Sequence, residues 1–279
     1  PLAFSAAASA AAPLISALLA RRTASRAGAT SPMVGTSGAW LDVRRAVERA
    51  ATAPFPVLIE GESGCGKELV ARAIHRASAR RDRSFCTLNC AALPDDLIES
   101  ELFGHARGAF TGAHVERMGV FEEAHGGTLF LDEVGELSPR AQAKVLRVIQ
   151  EGELRRVGEN HSRRADARLL CATNRDLRAE VAGGGFRRDL LYRLDVIRIT
   201  VPPLRDRRED VAPLAESLWR EAAARVGSTA TLSATTIAAL ARYDWPGNVR
   251  ELQNVLAALA VRSRRQGVVG PEALPERLG

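Results

Sequence analysis

Lysine is nearly absent from this sequence. Of 39 Lys and Arg residues, only Lys67 and Lys144 are lysines. A chain that uses arginine almost everywhere keeps lysine where a compact point charge is wanted. Cysteine is also scarce. Cys65, Cys86, Cys90 and Cys171 form no CxxC pair and have no histidine at zinc-site spacing, which argues against a zinc module and a disulfide framework. Reduced, buried thiols of a cytoplasmic protein are the expectation. No apolar run is long enough to span a bilayer, so no membrane partner is expected. The short apolar patch Leu14–Leu19 is followed by Arg21-Arg22, the reverse of a signal-peptide order. Long blocks of one charge are missing too. The net charge of +6 is spread among 33 acidic residues, which favours an Arg-rich solvated surface over a nucleic-acid face.

The 279 residues are 46% hydrophobic, enough for one large or two coupled domains. The chain opens on Pro. Residues 1–31, Ala/Ser-rich, read as a linker or the tail of an upstream domain. Trp40, Val43, Val47 and Ala50 share one helical face, and Pro54-Phe55-Pro56 ends that helix.

The most informative stretch is Gly61-Glu62-Ser63-Gly64-Cys65-Gly66-Lys67-Glu68. It follows an apolar strand, Val57-Leu58-Ile59-Glu60, and precedes Leu69–Ile74, apolar at helical spacing. Strand, glycine-rich turn and helix form a phosphate-binding loop. Glycines let successive N–H groups point inward, the helix adds the positive end of its dipole, and Lys67 adds a full charge. The usual pattern ends in Ser or Thr, which ligates Mg²⁺; here Glu68 stands there.

Further strands are expected at Phe85–Asn89, Thr128–Leu131, Ala167–Thr173 and Val196–Ile199, and a hairpin arm at Leu154–Gly158. Helices begin at Pro94-Asp95 and Ser138-Pro139. Strands alternating with helices predict an α/β fold with a parallel sheet flanked by helices over 32–202. Beyond Pro202-Pro203 the strands stop. Three helices between about 209 and 264 predict a helical lid over 203–279, broken at Asp244–Asn248.

Several constellations carry chemistry. Asp132-Glu133 ends an apolar strand, where one carboxylate holds Mg²⁺ and the next orients water. Thr173-Asn174 ends another strand, at the edge where such sheets bind ligands; the alternative is a helix cap. Arg187, Arg188 and Arg193 surround an amphipathic segment and are either arginine fingers or ordinary surface charges. Arg250 either reaches back to the nucleotide or pairs with Glu251. Gly108-Ala109-Phe110-Thr111-Gly112-Ala113 has no titratable side chain. It is either a contact tip for another macromolecule or a tight turn with Phe110 buried.

Together these stretches resemble the bacterial enhancer-binding proteins, AAA+ P-loop ATPases that activate sigma-54 RNA polymerase. The resemblance covers roughly residues 32–277 and is carried by Gly61–Glu68, Glu101–His105, Gly108–Ala113, Gly126–Glu133, Ala172–Leu177, Phe186–Leu194, Val201–Asp210 and Trp245–Asn254. It implies that Gly61–Glu68 bind ATP, with Lys67 on the phosphates, and that Asp132 organises Mg²⁺. It implies that Glu133 polarises water and that Asn89 restrains that glutamate. Thr173 and Asn174 look like a first sensor and Arg250 like a second. Arg187 and Arg193 resemble trans-acting arginines, with Arg188 replacing the usual acid between them. The family itself carries Glu at the position of Glu68, whereas Cys65 replaces its usual Thr. Phe110 and Thr111 would touch the sigma factor. Such proteins act as rings, usually hexamers, and reach promoter DNA through a separate domain that this chain does not show. Two other readings stay open: a nucleotide-gated scaffold without turnover, and a remodeller of another substrate.

Overall fold

The computed structural model describes residues 33–110, 113–263 and 265–278. The tail expected over 1–31, and Thr111 and Gly112, lie outside the described residues. Helix α1 (Gly38–Thr52) opens on Ser37, whose hydroxyl accepts from the Trp40 amide, and it buries Trp40, Val43, Val47 and Ala50. Strand β1 (Val57–Glu60) then leads through the glycine loop into α2 (Lys67–Ala77). Next come β2 (Phe85–Asn89) and α3 (Asp95–Phe103). The short antiparallel strands β3 (Gly104–His105) and β4 (Arg117–Met118) bracket the Gly108–Ala113 loop.

A single turn, α4 (Val120–Glu123), precedes β5 (Thr128–Asp132). Helix α5 (Pro139–Glu151) starts where Ser138 accepts from the Ala141 amide and Pro139 fills the first turn, as predicted. Strands β6 (Glu153–Leu154) and β7 (Arg163–Arg164) form a small hairpin before β8 (Arg168–Thr173). Helices α6 (Leu177–Ala182) and α7 (Arg188–Leu194) lead to β9 (Ile197–Thr200).

The main sheet runs β2-β5-β8-β1-β9 and is parallel throughout. Its middle strands are buried on both faces, which is why they read as unbroken apolar runs rather than alternating ones. Leu58, Leu129, Leu131 and Cys171 face one core; Val57, Ile59, Phe130 and Leu170 face the other. Each such aliphatic side chain contributes about 1.5–3 kcal/mol on burial. The parallel register sets Glu60 beside Thr173 and Asn89 beside Asp132, so the carboxyl ends of four strands converge.

A separate core begins at Leu204 and holds Trp219, Leu240, Trp245, Leu252 and Leu256. It is built by α8 (Val211–Arg225), α9 (Ala234–Arg242) and α10 (Asn248–Arg262). The expectation that strands end before this region needs correction: β10 (Thr231–Leu232) and β11 (Val268–Val269) pair in parallel. Two-residue strands carry no periodicity to read. The hairpin arm expected at Leu154–Gly158 also changes. Pairing stops at Leu154, and Val157 bonds instead to Gly104 and Ala106 at 2.9 Å each. Between them Arg156 is drawn inward by Glu122, at 2.7 and 2.9 Å.

His75 lies beneath the sheet, 6% exposed, with Nδ1 2.9 Å from Thr128 Oγ1 and its ring 5.0 Å from that of Phe85. Burial, then the charge of Arg168, pushes its pKa below the ordinary 6.5. The folded chain therefore takes up this proton less readily than the unfolded chain. Stability from this group is present above pH 6.5 and is lost as pH falls below it. The melting temperature should drop more steeply between neutral and mildly acid pH in the wild type than in His75→Gln. Parallel curves for the two would contradict this.

Candidate nucleotide-phosphate site

The loop after β1 is fastened to the sheet where the Gly61 amide donates to Thr173 O at 3.2 Å. It ends at Gly66, left-handed at φ 109°, which caps α2. Gly64 is also left-handed, at φ 78°, and a Cβ there would stand 2.5 Å from Gly247 O. Any larger residue would push α10 off the loop. Lys67, on the first turn of α2, is 6% exposed. Its Nζ lies 2.8 Å from Gly61 O and 3.3 Å from Glu133 Oε1. A cavity of about 460 Å³ opens here, lined among others by Gly64, Lys67, Asp132, Glu133 and Arg250.

Glu133 adopts a left-handed conformation, φ 52° and ψ 50°. That is uncommon for a residue with a Cβ and is typical of strained functional positions. The kink turns its carboxylate back across the carboxyl ends of the strands. There Oε1 meets Lys67, and Oε2 accepts from the Asn174 amide at 3.1 Å. Asp132 is held differently. Its Oδ1 accepts from the Glu133 amide at 3.1 Å and its Oδ2 from Asn89 Nδ2 at 3.3 Å. Burial, then the neighbouring Glu133, raises the Asp132 pKa, and Lys67 opposes that shift.

The family resemblance implies that Asn89 restrains Glu133. In this structure its side chain reaches Asp132 instead, because the β2–β5 register sets those two residues side by side. Thr173 is fully buried and its hydroxyl accepts from the Arg175 amide at 3.0 Å. The helix-cap alternative for Asn174 falls away, since Asp176 caps α6.

Two loop carboxylates are taken by arginines. Glu68 lines the cavity wall together with Arg72 and pairs with it, at 2.7 and 3.0 Å. Glu62 turns to Arg205, at 2.6 and 2.9 Å, and to Asn248. Hydrogen bonds from Arg205 and then Asn248 hold its carboxyl below the usual range. Ser63 Oγ accepts from Arg250 Nη1 at 2.8 Å. Arg250 thus reaches back to the loop rather than pairing with Glu251, which instead holds the Gly247 amide and Arg277. Cys65 is buried; its carbonyl accepts from Arg207 at 2.7 Å.

Sequence reasoning misses Arg207. It is 2% exposed, with its guanidinium 4.2 Å from the Trp40 ring. Burial pushes its pKa down, partly offset by Asp210. Within Leu204–Asp210 it is one arginine among three, so nothing in its neighbours marks it.

Arg187 and Arg193 do not line this cavity. Arg187 pairs with Asp189 at 2.7 Å, and its amide donates to Gln142 Oε1 at 2.8 Å. Arg193 lines a different cavity, one that also takes in Pro54, Phe55 and Pro56 before β1. Gly108, Ala109, Phe110 and Ala113 do not line the Lys67 cavity either. Phe110 is 42% exposed, with its ring 5.0 Å from and edge-on to His105. His105 is held by Ser100 Oγ at 2.7 Å and Val115 O at 3.1 Å. Phe110 is therefore not a core residue.

A parallel sheet, a glycine loop capped by α2, a lysine in its first turn and a helical lid over the opening define a P-loop nucleotide-binding module of the AAA+ type. The profile described as "Sigma-54 interaction domain" matches residues 33–200, and "AAA+ ATPase lid domain" matches residues 205–279. The chain belongs to the family of sigma-54-dependent activators. It is similar to the Nif-specific regulatory protein of Klebsiella oxytoca, 52% identical over 86% of this chain and 46% of that protein. It is also similar to the transcriptional regulatory protein ZraR of Salmonella typhimurium, 51% identical over 82% of this chain and 52% of that protein. The solved structure of NtrX from Brucella abortus in complex with ATP superposes with a TM-score of 0.81. It is 36% identical and covers 89% of this chain and 57% of that one. The chain thus spans about half the length of the curated relatives it matches.

The thiols give a direct check on this packing. Burial pushes Cys65 and Cys90 up, and Cys171 up to about 12, whereas Cys86 is only half-buried in β2. A thiol-disulfide reagent at pH 8 should modify one thiol quickly in the folded protein, that of Cys86, and all four on unfolding. Rapid native modification of Cys65 would show that the loop is not packed as described.

Proposed function

We propose that this chain hydrolyses ATP at the cavity beneath α10 and uses the cycle to remodel sigma-54 RNA polymerase through the Gly108–Ala113 loop. The observation that carries the proposal is the placement of Glu133. A left-handed kink aims this carboxylate at the phosphate loop, between Lys67 Nζ and the Asn174 amide. A carboxylate so placed orients and deprotonates water attacking the terminal phosphate. Lys67 and the loop amides hold the phosphates, and Ser63 and Arg250 carry the lid's contact. Thr173 and Asn174 tie the state of Glu133 to β8. Asn89 acts one step removed, through Asp132.

Mg²⁺ fits the donors present. Among the described residues no cluster of three or more metal-binding side chains occurs. The hard oxygens of Asp132 beside the loop suit a cation that keeps several waters and takes the rest of its ligands from phosphate. That cation would neutralise charge on the transferred phosphoryl group.

Arg187 and Arg193 lie away from their own cavity, so we assign them to the site of an adjacent copy in a ring. Phe110, half-exposed on a loop bracketed by two short strands, suits contact with a protein surface. The matched family and the Nif-specific relative support sigma-54 polymerase as that surface.

Three variants test the proposal. Glu133→Gln should keep ATP binding while phosphate release falls about 100-fold or more. Lys67→Ala should lose both. Thr111→Ala should keep phosphate release near wild type and lose binding to sigma-54 in a pull-down with a transition-state analogue. Normal promoter opening by Thr111→Ala would contradict the loop assignment.

A further inference from the structure

Every loop residue from Glu62 to Cys65 is held from the lid side. Arg205 and Asn248 hold Glu62; Asn248 and Arg250 hold Ser63; Gly247 O stands where a side chain on Gly64 would go; Arg207 holds the Cys65 carbonyl. The joint of this clamp is one buried side chain. Asn248 is 0% exposed and left-handed at φ 52°, a conformation asparagine tolerates better than most residues. Its Oδ1 accepts from the Leu204 amide at 2.7 Å, at the root of the lid. Its Nδ2 donates to Glu62 Oε2 and to Ser63 O, at 3.1 Å each.

We infer that Asn248 and Glu62 are positioning residues for nucleotide binding, fastening the first turn of the phosphate loop to the root of the lid. Neither lines the cavity. Glu62 faces away from the cavity, and its two oxygens are taken by Arg205 and Asn248. Asn248 needs an acceptor and a donor at once. Aspartate would keep the bond from Leu204 and lose those to Glu62 and Ser63. A loop held in its binding shape orders less when nucleotide arrives. Loss of the clamp therefore appears in affinity more than in turnover.

The inference rests on the ATP reading, and the test separates the two. Equilibrium binding of a fluorescent ATP analogue with Mg²⁺ is measured on the whole chain. Wild type, Asn248→Asp, Glu62→Gln and the double variant are compared, each with its melting curve. Asn248→Asp sets a second carboxylate against Glu62 and should weaken binding about tenfold or more, the scale of a lost charge-assisted hydrogen bond. Adding Glu62→Gln should recover part of that loss, because the new amide donates to the new carboxylate while giving up the Arg205 Nη1 bond at that oxygen. A purely structural role for Asn248 predicts no such rescue. Wild-type affinity in Asn248→Asp, or no recovery in a double variant that melts normally, overturns the inference. If Asn248→Asp does not melt cooperatively, Glu62→Ala decides. It should weaken binding about tenfold with kcat changed much less, and unchanged affinity overturns the inference. A wild type that binds no analogue refutes the ATP reading instead.

Discussion

Backbone N–H groups aimed at a phosphate keep their aim only while the loop that carries them is fixed at both ends. Here one end is tied to the sheet, where Gly61 bonds to Thr173, and the other becomes the first turn of α2. The stretch between them has too few side chains to pack itself. It takes its shape from the lid, through Arg205, Arg207, Asn248 and Arg250. Phosphate loop and lid are thus one mechanical unit, although their apolar cores are separate.

The second consequence is electrostatic. Lys67 and Glu133 stand 3.3 Å apart, both largely shielded from solvent. Each would otherwise be a buried charge without a partner, which is strongly destabilising. On the proposed function, the same pairing brings the cation for phosphate and the base for water to one point. Asp132, pushed up by burial and by Glu133, is a carboxylate that a cation would favour in its charged form. Strain at Glu133 and crowding of acids are tolerated where chemistry is expected, and the sheet beneath supplies the stability.

Much of this is legible in the amino-acid sequence alone. Gly61–Glu68, Asp132-Glu133 and Thr173-Asn174 are short and local, and each sits at the end of an apolar run whose burial on both faces leaves a plain signal. The clamp is not legible there. Asn248 and Ser63 are separated by 185 residues, and Arg207 and Cys65 by 142. No local pattern reports such pairs, and in an Arg-rich chain Arg207 looks like any surface arginine. Glu62 and Glu68 read as phosphate-loop residues by position, yet both carboxylates are taken by arginines outside the loop. The strand pair 231–232 and 268–269 is too short for any periodicity.

On the proposed function, nucleotide is cleaved at a site completed by a second copy of the chain. The direct measurement is phosphate release from ATP at rising protein concentration, with assembly followed in parallel by light scattering. Specific activity should climb as the chain assembles and level off once rings are complete. Specific activity that is constant from dilute to concentrated protein, or absent in assembled protein, would contradict the account.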